Sequence, residues 1–127
     1  MGRIVDTSFL YAAFDAADAR HREARDELGK PHALGIPLCI MAEFLDLVEY
    51  RNGRQTAAKI HRDLTEFPTV ALVGIKDEAA VLVIWARHPG LSVCDAAGIQ
   101  ASIEGKATLL SYDAAQAKAL ASVVATS

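Results

Sequence analysis

Four carboxylates stand where strands and helices in alternation can bring them together. Asp6 ends the short run Arg3 to Val5 and precedes an apolar helical pattern from Phe9 to Phe14. Glu43 interrupts the apolar set formed by Ile40, Met41, Phe44, Leu45, Leu47 and Val48. Asp95 stands three residues after Ser92, the layout of a capping box at a helix start. Asp113 lies just past the apolar run Ala107 to Leu110, beyond Ser111 and Tyr112. Each acid alone has an ordinary role. Asp6 and Asp95 can cap helices, and Glu43 can favour the dipole from a first helical turn. Together at one edge they repel one another unless cations meet them. Mg²⁺ suits such a set, because it takes oxygen ligands, keeps several waters and needs few carboxylates. One or two such ions activate water and steady the leaving oxygen of a phosphodiester. Ser8 and Ser111 are nearby hydroxyls able to orient a carboxylate or a metal-bound water.

The elements that must position these acids follow from the apolar pattern. Strands are expected over 3–5, 33–36, 69–75 and 107–110, with helices over 9–14, 19–28, 38–50, 54–67, 77–88 and from 93 to a stop at Gly105. A last helix is expected over 114–121, followed by a short edge strand over 122–126. Strands alternating with helices predict a mostly parallel α/β sheet, whose carboxyl edge is where ligands bind. The chain has 127 residues, enough for one domain spanning 1–127. Its apolar fraction of 52% excludes disorder. A net charge of −3 is not the footprint of a general nucleic-acid binder, so nucleic acid must be held by a local basic patch or through metal ions. The densest basic segment is 54–67, with Arg54, Lys59, His61 and Arg62. His21, His32, His61 and His88 have no zinc-like spacing. Cys39 and Cys94 are far apart and form no C-x-x-C pattern, which favours reduced thiols in an intracellular, cytoplasmic setting. No apolar run reaches membrane-spanning length.

These residues also carry a family resemblance. Val5 to Leu10 (VDTSFL), Ala42 to Leu45 (AEFL), Leu91 to Ala96 (LSVCDA) with Ala101, and Leu109 to Asp113 (LLSYD) resemble, in order, the four motifs of PIN domains, and most closely those of VapC-type toxin ribonucleases. The resemblance covers nearly the whole chain. It implies a PIN-like three-layer α/β/α sandwich with a small, mostly parallel central sheet. It implies an endoribonuclease toxin of a type II toxin–antitoxin module, dependent on Mg²⁺ or Mn²⁺ and cleaving RNA phosphodiester bonds with metal-activated water. Asp6, Glu43, Asp95 and Asp113 would be both the catalytic and the metal-binding residues, with Ser8 and Ser111 in the supporting hydroxyl places.

Other readings stay open at this point. A PIN-like scaffold that binds RNA or a partner without cutting is one, although retention of all four acids weighs against it. A haloacid-dehalogenase-type phosphatase needs a second Asp where Ser8 stands. A receiver domain needs an acidic pair near the first strand, and Arg3-Ile4-Val5 has none. Partners are expected as well. The apolar helices over 38–50 and 77–88 point to a homodimer with Leu47, Val48 and Trp85 in its interface. A pocket of four acids invites a guanidinium, so a cognate antitoxin is expected to lay an Arg or Lys among them.

Overall fold

The computed structural model describes residues Gly2 to Thr126. Four short strands, β1 (Arg3–Val5), β2 (Leu34–Pro37), β3 (Val70–Val73) and β4 (Thr108–Leu110), form one sheet in the order β3-β2-β1-β4. Every neighbouring pair is parallel, so the sheet is wholly rather than mostly parallel. Parallel strands need crossovers, and helices supply them. Helices α1 (Thr7–Phe14) and α2 (His21–Leu28) join β1 to β2. Helices α3 (Leu38–Asn52) and α4 (Arg54–Thr65) join β2 to β3, and α5 (Glu78–Arg87) and α6 (Val93–Gly105) join β3 to β4. The last helix, α7 (Ala114–Thr126), follows β4. The chain runs outward from β1 through β2 to β3, then returns to place β4 on the other side of β1. That reversal makes the carboxyl end of β1 a topological switch point, where open α/β sheets bind ligands.

Two apolar cores lie on the two faces of the sheet, giving three layers. Phe9, Leu10, Phe44 and Leu64 from α1, α3 and α4 pack with Val5, Leu34 and Ile36 of the strands. Val81 and Ile84 of α5, Ala96, Ala97 and Ile99 of α6 and Ala119 of α7 form the second core. Small residues let α6 lie close. A Cβ on Gly98 would sit 3.1 Å from Gln116 Nε2 and 3.2 Å from Ile40 Cδ1. Gln116, fully buried, donates to the backbone oxygen of Asp95 at 3.0 Å, so α7 is tied to the first turn of α6.

Several boundaries and roles differ from the sequence expectation. Residues 122–126 continue α7 rather than forming a strand. Their valines favour strands locally, but Ala119, Leu120 and Val123 lie on a helical row that packs on the second core, and packing outweighs propensity. Glu43 is not in a first turn: α3 begins at Leu38, which puts Glu43 in the second turn and removes the dipole explanation. The expected dimer patch does not form as one surface. Val48 is buried in the chain's own core, while Trp85 is 46% exposed on α5 beside the exposed Leu82 and Val83.

The cysteines are also not separate thiols. Cys39 and Cys94 form a disulfide that joins residues 55 apart in sequence. Sequence spacing gave no hint of it, because only folding brings the start of α3 beside the start of α6. The bond lies one turn before Glu43 and next to Asp95, so it staples together the two helices that carry these acids. Reduction with dithiothreitol is expected to release two thiols and to cost about 2–4 kcal/mol of stability, the usual range for a bridge closing a long loop. Thermal melts of the oxidised protein, the reduced protein and the Cys39→Ser/Cys94→Ser variant check this. An unchanged Tm after release of both thiols would show that the staple adds no stability.

Candidate active site

Asp6 is the most buried of the acids, only 2% exposed at the end of β1. It caps α1, with Oδ1 accepting from the backbone N–H of Phe9 at 3.0 Å. Two hydroxyls add to this, one on each carboxylate oxygen. Ser8 Oγ donates to Oδ1 at 2.7 Å, and Ser111 Oγ donates to Oδ2 at 2.5 Å. Each serine in turn accepts a backbone N–H from the segment after β4. Tyr112 N–H reaches Ser8 at 3.0 Å, and Asp113 N–H reaches Ser111 at 2.9 Å. A hydroxyl has one proton to give. Ser8 and Ser111 both spend theirs on Asp6, so they orient a carboxylate.

The other three acids share a different pattern. Glu43 Oε1 accepts from Thr7 Oγ1 at 2.6 Å. Asp95 Oδ2 accepts from the backbone N–H of Ser92 at 3.0 Å, while Ser92 Oγ accepts from Asp95 N–H, which completes the expected capping box. Asp113 Oδ1 accepts from the backbone N–H of Ala115 at 2.9 Å and, more weakly, of Gln116 at 3.4 Å. Among the described residues, each of these acids thus ties one oxygen to the scaffold and leaves the other without a protein donor.

All four acids line one cavity of about 560 Å³. Ser8 lines it too; Ser111 stands behind Asp6 and does not. The cavity also takes in residues that motif reading passed over: Thr7, Tyr11, Asp18, Arg20, Leu47, Arg51 and Tyr112. Glu43, Leu47 and Arg51 are spaced by four along α3, a single helical row, and that periodicity was available in the sequence. Arg20 and Tyr112 had no comparable signal. The basic segment 54–67 does not reach this cavity. Arg54 pairs with Glu49 at 3.1 Å and Lys59 with Asp63 at 2.9 Å.

The electrostatics follow from burial. Loss of solvent raises the Asp6 pKa above the ordinary carboxylate value; the hydrogen bonds from Ser111, Phe9 and Ser8 oppose that rise, and the nearby Asp95 charge adds to it. The lining acids offer only oxygen donors, and no His or Cys joins them. Among the described residues, no three Asp, Glu, His or Cys side chains close on one point tightly enough to cage an ion. Such a set fits a hard cation that retains most of its waters and takes one or two carboxylates.

Because folding raises the Asp6 pKa, the native state holds that proton more tightly than the unfolded chain. The associated stability is present at low pH and is lost as pH rises through the native value. Asp6→Asn keeps a capping oxygen and carries no charge. In metal-free buffer its Tm is expected to exceed that of wild type near neutral pH, with the gap closing as pH falls toward about 4. A gap independent of pH would mean that ionised Asp6 carries no desolvation cost.

Comparison with known proteins bears on this geometry. The family model for the PIN domain matches residues 3–120. A search of curated proteins finds no match. Among solved structures, the Mycobacterium tuberculosis toxin VapC20, described as cleaving the sarcin–ricin loop, superposes with a TM-score of 0.78 at 24% identity, covering 93% of this chain and 95% of that one. VapBC2 from Rickettsia felis, solved bound to a DNA fragment from its promoter, gives a TM-score of 0.67 at 12% identity, covering 89% of each chain. At these identities the likeness is one of fold. With the family model spanning nearly its whole length, the chain belongs to the PIN domain family.

Proposed function

We propose that this protein is a metal-dependent endoribonuclease, the toxin of a type II toxin–antitoxin module. The observation that carries this reading is the convergence of Asp6, Glu43, Asp95 and Asp113, from four separate segments, on one cavity. Four carboxylates lining one cavity make an anionic site that favours a cation, which a structural explanation of each acid alone does not account for. Asp6, Glu43, Asp95 and Asp113 would hold Mg²⁺ or Mn²⁺. Bound there, the ion supplies charge neutralisation for a phosphodiester and a more acidic water. The chain's own residues position the ligands. Ser8 and Ser111 lock the Asp6 carboxylate, Thr7 orients Glu43, and the capping bonds of Asp95 and Asp113 hold one oxygen of each.

The similarity to VapC20 makes the sarcin–ricin loop the first substrate to try. Wild-type protein with Mg²⁺ is expected to cleave a sarcin–ricin hairpin or total RNA, and EDTA is expected to abolish cleavage. Asp95→Asn should lower the rate by at least about 100-fold, the scale of losing a group that stabilises charge in the transition state, while leaving the melting temperature equal or higher. Full activity in EDTA would overturn metal dependence, and full activity of Asp95→Asn would remove that residue from the site.

The partners follow the same chemistry. An antitoxin segment that presents Arg or Lys to the four acids would compete with the metal. Alanine substitution of each basic residue in that segment, assayed for recovered cleavage in the co-purified complex, tests this. Recovery is expected from one or two positions; recovery from none would leave steric cover as the route of inhibition. A homodimer through Leu82, Val83 and Trp85 of α5 is also proposed, and a monomer by light scattering at high micromolar concentration would exclude it. Among the described residues no helix is long and apolar enough to cross a membrane. A cytoplasmic location is proposed from the toxin–antitoxin reading alone, since the Cys39–Cys94 disulfide removes the argument from reduced thiols.

A further inference from the structure

Two arginines on the wall of the acid cavity are held by aromatic rings and not by the acids. The guanidinium of Arg20 lies over Tyr112, 4.7 Å from the ring centroid. That of Arg51 lies 4.8 Å from the centroid of Tyr11 and donates to the tyrosine oxygen at 2.7 Å. Both arginines are exposed, and both line the cavity that contains the four acids. Among the described residues Arg51 makes no ion pair, and the one ion pair of the Arg20 guanidinium is with Glu23, at 4.0 Å with both side chains largely in solvent; the nearby Asp18 carboxylate takes the Arg20 backbone N–H at 2.8 Å. Cation–π attraction helps to seat each arginine on its ring. The Arg20 seat is itself braced: Phe9 stacks on Tyr112 with centroids 6.0 Å apart.

The placement spans the site. Tyr112 adjoins Asp113, so Arg20 stands on the β4 side. Arg51 lies on α3, two helical turns beyond Glu43 on the same row and about 12 Å along the helix axis at the usual rise. At that distance Arg51 meets what lies beyond the acids. We propose that Arg20 and Arg51 are the two ends of an RNA clamp, gripping backbone phosphates on either side of the phosphodiester held at the acids. This rests on the nuclease reading above. Arginine suits the task because its planar fork matches phosphate oxygens, and its outer face offers a stacking surface to an unpaired base. The charge pattern is also the one that a cavity of negative sign requires: acids at the centre, neutralised by a cation, and positive groups where the rest of a polyanion must lie.

A control lies elsewhere in the chain. Arg25 sits 5.7 Å from the Phe14 centroid, also exposed, but lines a different hollow. Arg20→Ala, Arg51→Ala and Arg25→Ala are to be compared for kcat and KM on a sarcin–ricin hairpin. In an Asp95→Asn background they are compared for fluorescence-anisotropy binding of the same hairpin over a salt series. Arg20→Ala and Arg51→Ala are expected to raise KM about tenfold each, the scale of one charge-assisted hydrogen bond, with kcat within about threefold. Each should flatten the slope of log affinity against log salt by about 0.7. Lysine at either position should recover the slope and only part of the affinity, since the charge returns without the planar fork. Arg25→Ala should match the parent, and all three should melt near wild type. Normal KM and salt slope in both cavity variants would overturn the clamp while leaving the nuclease reading intact. Equal weakening by Arg25→Ala would also overturn it, by making the effect one of general surface charge. A wild-type protein that neither cuts nor binds the hairpin or total RNA would remove the nuclease reading and the clamp with it.

Discussion

The buried carboxylate of Asp6 is the constraint around which this protein is arranged. An ion at the end of a central strand, 2% exposed, must be hydrogen-bonded or it destabilises the fold. The chain meets that need from three directions. The first turn of α1 gives a backbone N–H, and Ser8 and Ser111 give hydroxyls. Each hydroxyl is backed by a backbone N–H from the segment after β4. Two chain segments more than a hundred residues apart are therefore joined through one carboxylate. The same bonds that satisfy Asp6 also fix Asp113, the residue whose backbone completes one of the relays.

Positioning by capping recurs throughout the site. Asp6, Asp95 and Asp113 all hold backbone N–H groups at helix starts. An acid used in this way has a fixed side chain, because the cap geometry allows few rotamers. For Asp95 and Asp113, one oxygen does this work and the second stays without a protein donor. Glu43, inside a helix, has no cap to make; Thr7 performs the equivalent service from the neighbouring helix. Structural and chemical explanations of these acids are thus complementary: the cap is the means by which the charge is aimed.

The disulfide and the arginines extend this arrangement outward. Cys39 and Cys94 hold the starts of α3 and α6 together, one turn before Glu43 and next to Asp95. On the wall of the same cavity, Tyr11 and Tyr112 carry the guanidinium groups of Arg51 and Arg20. The kind of restraint changes from the centre to the rim. Buried hydrogen bonds fix the acids, a covalent bond fixes the helices that carry them, and ring stacking fixes the charges at the edge.

Much of this could be read from local pattern. Alternating apolar runs and helical stretches specify a parallel α/β sheet because a strand buried on both faces and a crossover helix each leave a distinct period in sequence. The capping box at Ser92 and Asp95 depends on residues three apart, and the four acid motifs each span a few neighbours, so they too were legible. What lay beyond reach were contacts between distant segments. The Cys39–Cys94 bond, the hydroxyl relays linking Ser8 to Tyr112 and Ser111 to Asp6, and the seating of Arg20 on Tyr112 join residues with no periodic relation. The tail over 122–126 shows the same limit from the other side. Its valines favour a strand locally, and only the core formed by α5 and α6 makes a helix the better way to pack Val123 while Val124 stays exposed. The sequence by itself determined the fold class and singled out four acids that line one cavity, because local chemistry encodes the elements and the motifs. The tertiary structure alone decided how the acids are oriented and what surrounds them, because those depend on which distant segments meet.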